Sequence, residues 1–285
     1  IGENFSSENI VLEPQGRNTA PCILLGLSEL SKRGASLDEF VAIVPSDHVI
    51  LNTSGFQKTL EKAKKLAQSE DQLVTLGIRP HFPHTGFGYI QRGLEYTEGA
   101  YQVLSFKEKP DKLMAQKYLQ EGCYYWNAGM FVGTLRRFLK EFEICAPETF
   151  QYFSSLKNAM DADEIEKVYE KIPADSIDYA VMEKSQNIAV VEAQFDWNDL
   201  GSWDALESVI DKERENTLVS QKEFVGLNSK NNIVYTPDKL CALIDVDDLV
   251  VVANDKSVLV APKTSSQKVK KIVEELKDKD LNHWI

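Results

Sequence analysis

A few polar residues fall where this 285-residue chain could do chemistry. Asp47 follows the apolar run Phe40-Val41-Ala42-Ile43-Val44 through Pro45-Ser46, with His48 beside it. In open α/β sheets ligands bind beyond the carboxyl ends of strands, so a carboxylate there can hold a divalent cation, or simply form a turn. Asp199 lies in Trp197-Asn198-Asp199-Leu200-Gly201-Ser202-Trp203. It can cap the helix expected after it, or join Asp47 on a Mg²⁺ that carries nucleotide phosphates, since such ions take only one or two protein carboxylates. Glu108-Lys109-Pro110 ends a strand-like segment. The lysine there is a fixed point charge suited to a phosphate and the glutamate an acceptor for sugar hydroxyls, unless the run is a solvated charge cluster. Asn127 interrupts the apolar Trp126-Asn127-Ala128-Gly129-Met130-Phe131, where its amide needs either backbone partners or a polyhydroxyl ligand. Arg17, Asn18 and Thr19 precede a helix, in position to cap it or to meet an anion or a base edge. The Thr85-Gly86-Phe87-Gly88 stretch allows close backbone approach to a ligand, or a hairpin turn.

Positioning these residues requires strands that alternate with helices. Strands are expected at residues 10–12, 40–44, 73–78, 89–91, 102–107, 124–132 and 188–192. Of these, 40–44 reads as a central strand buried on both faces. Helices are expected at 18–32, 55–68 (capped by Ser54), 111–120, 135–145, 147–160, 163–171, 177–183 and 201–213. The alternation predicts βαβ units: an α/β fold with a mostly parallel sheet flanked by helices. After residue 216 the texture changes to short β segments at close spacing, punctuated by Asn, Asp, Gly and Pro, and ends in an amphipathic helix at 265–277. The chain therefore divides into a domain over 1–216 and a small β-rich domain over 217–285. No internal repeat is evident.

Lys and Arg number 32 against 44 Asp and Glu, a net charge of −12. That excludes a general nucleic-acid surface, which needs cations to displace counterions. A small phosphorylated ligand is still accessible to an acidic protein through a few local cations. No apolar run is long enough for a membrane span, no signal-peptide pattern opens the chain, and the four cysteines lack metal spacing, which together read as a reduced, cytoplasmic protein. The apolar stripe Val269-Ile272-Val273-Leu276 packs on its own domain or forms a homodimer contact.

Taken in order, EPxxRNTAP, PSDH, TGxGYI, FKEKP, WNAGMF, SIDYAVMEK and WxDxGSW resemble the mannose-1-phosphate guanylyltransferases of the sugar-1-phosphate nucleotidyltransferase superfamily, from about residue 10 to 206. The β-rich tail resembles that family's small C-terminal β-helical domain. The resemblance implies a Rossmann-like nucleotidyltransferase domain and transfer of GMP from GTP to mannose 1-phosphate. It implies Mg²⁺ on Asp47 and Asp199, and Lys109 on the sugar phosphate. It also implies mannose contacts from Glu108, Asn127 and the backbone at Gly88, and guanosine near Arg17, Asn18 and Thr19. Ile177, Asp178 and Tyr179 would line the sugar side, with a structural carboxylate as the other role for Asp178.

The family's glycine-rich GGxGxRxxPL loop is not found ahead of EPxxRNTAP, and the chain starts at Ile1. Both features suit such an enzyme lacking its N-terminal part, and the 285-residue chain is then expected to be weakly active or inactive. Two alternatives stand beside this reading: a related enzyme with another sugar or base, and an inactive binding or regulatory relative.

Overall fold

A computed structural model describes residues 6–213 and 215–284; Ile1 lies outside the described residues. They divide into two compact units, one formed by residues up to Ser46 together with Leu51–Asp196, the other by Asp47–Ile50 together with residues from Trp197 on.

In the first unit the order is α1 (Thr19–Lys32), β1 (Phe40–Ile43), α2 (Thr53–Glu70), β2 (Leu73–Ile78), β3 (Tyr89–Thr97), β4 (Ala100–Lys107), α3 (Lys112–Glu121), β5 (Tyr124–Thr134) and α4 (Leu135–Cys145). Short helices α5 (Pro147–Phe150), α6 (Phe153–Asn158) and α7 (Ala162–Tyr169), a π-helical turn (Asp178–Met182) and β6 (Ile188–Glu192) complete it. Helix α1 starts where the Asn18 side chain accepts the Thr19 N–H at 2.9 Å. It turns Ala20, Leu24 and Leu27 into a core shared with Leu73, Phe131, Phe138, Phe142 and Tyr169. Each of these is nearly inaccessible to water, so a Leu→Ala change among them would cost about 2–5 kcal/mol.

The six strands run in the order β1-β5-β2-β6-β4-β3. The expected α/β architecture with helices against a sheet is present, but its strand directions are mixed. β2 and β6 pair in parallel, whereas β5 is antiparallel to β1, β2 and β3, and β4 is antiparallel to β3 and β6. Three further local expectations change. β1 lies at a sheet edge among the described residues, paired only with β5, with Ala42 exposed on it and Val44 exposed just past its end. The apolar stretch at 10–12 forms no strand and is exposed, because no described strand lies beside it. Asn52, not Ser54, caps α2, its side chain accepting the Gly55 N–H at 2.9 Å.

In the second unit a 3-10 turn (Trp203–Ser208) replaces the helix expected at 201–213. It leads to β7 (Thr217–Leu227), β8 (Ile233–Ile244), β9 (Leu249–Ala253), β10 (Val258–Pro262) and α8 (Val269–Asp278). β7, β8 and β9 stack in parallel, Thr217 beside Ile233 and Ile233 beside Val250. Equivalent positions on successive coils are 16 or 17 residues apart, as in the side-chain bonds Asn232–Asn216 and Asn228–Asp245. The corners repeat as well: Glu215, Asn231 and Asp248 adopt left-handed φ of 63°, 57° and 57°. The structure thus contains a repeat that residue identities conceal, because the three corners carry Glu, Asn and Asp and the coil lengths differ by one.

Inside the coils Asn216 and Asn232 are completely buried. Asn216 Oδ1 accepts from both the backbone N–H (2.9 Å) and the Nδ2 (3.0 Å) of Asn232. Asn232 in turn donates from Nδ2 to Val246 O at 3.0 Å and accepts the Leu249 N–H at 2.9 Å. This ladder satisfies backbone groups that the corners strip from the strand pairing.

Candidate active site

In the first unit a cluster forms where β3, β4 and β5 meet. Lys109, just past β4, holds φ at 44°, a left-handed conformation that is costly for a non-glycine residue and persists where its surroundings fix it. Its Nζ lies 2.6 Å from Glu108 Oε1, and that hydrogen bond, against a smaller desolvation effect, raises the lysine above its ordinary pKa and keeps it charged.

Asn127 sits in a bulge of β5. Thr75 faces Phe131 but Gly77 faces Asn127, so β5 carries two extra residues there, with Gly129 at φ 65°. Bulges of this kind redirect a side chain. Here Asn127 Oδ1 accepts the Gly129 N–H (3.0 Å), Nδ2 donates to Asp178 Oδ1 (2.7 Å), and the backbone N–H donates to Gly88 O (2.8 Å). One end of the amide is thus bound to backbone, as one reading expected, and the other to a carboxylate that neither reading named.

Gly88 is where backbone and side chains come closest. A Cβ there would lie 2.5 Å from Glu108 Oε2 and 3.3 Å from Asn127 Cβ. The loop carrying it leans on Trp126, whose ring is met edge-on by His81, Phe82 and Phe87 at centroid distances of 5.0, 5.0 and 5.1 Å. Sequence reasoning did not assign Trp126; the clustering of rings across residues 81–87 was its available signal. Asp178 opens the π-helical turn, and burial, then the neighbouring Glu108, push its carboxyl above the usual range, while the Asn127 hydrogen bond and Lys109 pull it back. Lys109, Glu108, Gly88, Asn127 and Asp178 thus come together.

Arg17, Asn18 and Thr19 lie at the start of α1, each with one polar group hydrogen-bonded within the chain, while the buried Arg17 Nε has no partner among the described residues. Arg17 Nη1 donates to Ile172 O at 2.8 Å, and Thr19 Oγ1 accepts the Ile177 N–H at 2.8 Å. Asn18 caps Thr19 from a backbone with φ 68° and ψ −176°.

In the second unit Val49 and Asn198 form an antiparallel bridge, with N···O distances of 2.8 and 3.1 Å. The bridge sets Asp47 and Asp199 on adjoining segments. Both carboxylates act on His48, whose pKa is nevertheless lowered, by burial. The neutral ring accepts the Trp197 indole N–H at Nδ1, 3.0 Å away. Asp199 does not cap a regular helix; Oδ1 accepts the Gly201 N–H at 3.1 Å. No group of three or more His, Cys, Asp or Glu suited to a metal occurs among the described residues. The two carboxylates on these adjoining segments, with His48 Nδ1 engaged by the Trp197 indole, make an all-oxygen donor pair. That set fits a phosphate-bound Mg²⁺ and not a metal preferring nitrogen or sulfur.

The nucleotidyl transferase family profile matches residues 1–216, and that of the MannoseP isomerase/GMP-like beta-helix domain matches 222–276. The chain belongs to the nucleotidyl transferase family, with a β-helix domain following its α/β domain. It is similar to the mannose-1-phosphate guanylyltransferase of Klebsiella pneumoniae, at 40% identity over 99% of this chain and 60% of that protein. The mannose-1-phosphate guanylyltransferase of Escherichia coli is 41% identical over 96% of this chain and 59% of its own length. The chain thus spans about three fifths of the length of these relatives. A crystal structure from Thermus thermophilus, described as a mannose-1-phosphate geranyltransferase, superposes with a TM-score of 0.84 at 33% identity, covering 94% of this chain and 77% of that one. No helix among the described residues is long and apolar enough to cross a membrane.

Proposed function

We propose that the protein transfers GMP from GTP to mannose 1-phosphate, giving GDP-mannose and pyrophosphate. The observation that carries this reading is the convergence of Lys109, Glu108, Gly88, Asn127 and Asp178, one cation among acceptors and a close-approach glycine. A sugar phosphate needs both halves of that set, a cation for its phosphate and fixed acceptors for its hydroxyls. One N–H of the Asn127 amide is left for a ligand hydroxyl after Asp178 takes the other. The family relationship and the named relatives support the choice of guanosine and mannose.

A phosphate oxygen of the sugar phosphate attacks the α-phosphorus of GTP in line as the bond to the pyrophosphate oxygen breaks. No proton has to move to the leaving group for pyrophosphate to depart as an anion. The work left to the protein is alignment of two anions and neutralisation of their charge. Lys109 neutralises the attacking phosphate, and its bond to Glu108 fixes its direction between turnovers. Glu108, Asn127 and the Gly88 backbone orient the sugar. Arg17, Asn18 and Thr19 serve the guanosine side. Asp47 and Asp199 would hold Mg²⁺, which when bound supplies positive charge at the triphosphate. The nucleotidyltransferase domain extends over 1–216 in this account and the small domain over 217–285. With all four cysteines free, the protein suits the reducing cytoplasm.

Asp199→Asn in the full-length protein tests the metal assignment. The substitution keeps the acceptor for Gly201 and removes the charge, so Mg²⁺-dependent pyrophosphate release should fall by at least about a hundredfold while near-UV circular dichroism stays unchanged. Ordinary turnover by this variant would overturn the assignment.

A further inference from the structure

The residues ahead of α1 are tied to the segment that delivers Asp178. Three hydrogen bonds make the tie: Arg17 Nη1 to Ile172 O at 2.8 Å, the Ala20 N–H to Asp175 O at 3.1 Å, and the Ile177 N–H to Thr19 Oγ1 at 2.8 Å. Of the three, the last is accepted by the side chain next in sequence after the strained Asn18, and it ends one residue before Asp178. From there the backbone enters a π-helical turn closed by the Glu183 N–H on Asp178 O at 2.8 Å. A π-turn is an uncommon conformation that persists where its surroundings fix it. Ile177, Ala180, Val181 and Met182 are buried in the same core as α1, so packing holds the body of the turn and the Thr19 hydrogen bond fixes its entry just ahead of Asp178.

We infer that Thr19 is a positioning residue, its hydroxyl fixing the Ile177 N–H and with it the Asp178 carboxylate, so that the loop serving the nucleotide and the carboxylate serving the sugar are coupled. This rests on the proposed function for which ligand lies on each side. The tie itself is independent of that assignment. A ligand that orders residues 17–20 then orders Asp178 too, and the second ligand meets a carboxylate already in place. Such coupling is reciprocal.

Asp178 faces Glu108 and Lys109 from the loop after β4, Asn127 from β5, and Glu183 and Tyr179 from its own turn. Loss of the anchor lets the carboxylate move from Glu108 toward water, which favours ionisation.

The experiment compares Thr19→Val, which removes the hydroxyl at nearly constant volume, with Thr19→Ser, which retains it, in the full-length protein. Calorimetry measures mannose 1-phosphate affinity with and without α,β-methylene GTP. The analogue should tighten wild-type binding by about fivefold or more. Thr19→Val should erase that enhancement and Thr19→Ser should restore it. Carbon-detected NMR of the Asp178 carboxyl gives a second readout that needs no ligand. Its titration point should fall by about half a pH unit or more in Thr19→Val and stay in place in Thr19→Ser. An unchanged titration point in Thr19→Val, or a Ser variant that behaves like Val, overturns the inference. If the wild type binds no mannose 1-phosphate, the proposed function falls while the NMR comparison still decides the positioning role.

Discussion

Lys109→Met should lower kcat/KM for mannose 1-phosphate by roughly two to three orders of magnitude, the effect of removing one well-placed charge donor at a developing anion. Stability should hardly move. The lysine side chain is 62% exposed, and an ion pair made by a head group so open to water contributes little to folding. Methionine keeps the length and apolar stem of the side chain and removes the charge. Arginine is a poor substitute here, since its planar fork cannot occupy the single direction that the Glu108 bond defines. A change in pH dependence should accompany the loss. Lys109 is one of the groups that hold the raised Asp178 carboxyl down, so its removal leaves the Asn127 hydrogen bond to oppose burial and Glu108, and raises that carboxyl further. The acid limb of the residual activity therefore moves to higher pH, measurable as a shifted midpoint of log kcat/KM against pH. An unshifted limb with full activity loss would separate the phosphate role of Lys109 from its effect on Asp178.

Asn232→Leu should destabilise the stacked-coil unit by about 3 kcal/mol, because three buried polar groups lose a partner together. Leu249 N–H, Val246 O and Asn216 Oδ1 each bond to the Asn232 side chain, and no water reaches a residue with 0% exposure. Leucine fills the volume and satisfies none of them. In calorimetry the unfolding transition of this unit should drop by more than about 10 °C. The transition of the first unit, whose core contains none of these groups, should remain where it is. Asn232→Asp is the informative companion. It keeps the acceptor for Leu249 but loses the donors to Val246 and Asn216, and it adds a buried charge, so it should be no better than leucine at pH 7.

The sequence made some of this visible through patterns that act locally. The mainly apolar segments 73–78 and 188–192 read as strands and occupy the middle of the sheet, fully buried except at Glu192. The same pattern misled at 40–44, because an apolar run reports burial preference and not which partners lie on either side; pairing is a non-local property. The helix expected at 147–160 is broken at Gln151 and Tyr152, where tertiary packing outweighs the periodicity. The coil repeat was hidden because its constant feature is a left-handed corner, which Glu215, Asn231 and Asp248 fill with three different side chains.

For the site, residue chemistry alone marked Lys109, Glu108 and Asn127 through a proline-terminated strand and an amide in an apolar stretch. Asp178 had no such local mark. Its signal lay in the motif order, and its place beside Asn127 depends on a bulge and a π-turn that no propensity predicts. Arg17 sits at a helix start, where its Nη1 donates to a backbone carbonyl and its buried Nε has no partner among the described residues, an arrangement that sequence position alone does not predict.

The central claim, GMP transfer to mannose 1-phosphate, is tested most directly by a substrate panel on the full-length protein. ATP, CTP, GTP and UTP are each paired with mannose 1-phosphate and glucose 1-phosphate in the presence of Mg²⁺, and pyrophosphate release is measured. The account predicts release with GTP and mannose 1-phosphate at a rate at least about tenfold above every other pair, a difference of about 1.4 kcal/mol in transition-state binding. A preference for another pair, or no release with any pair, would contradict it.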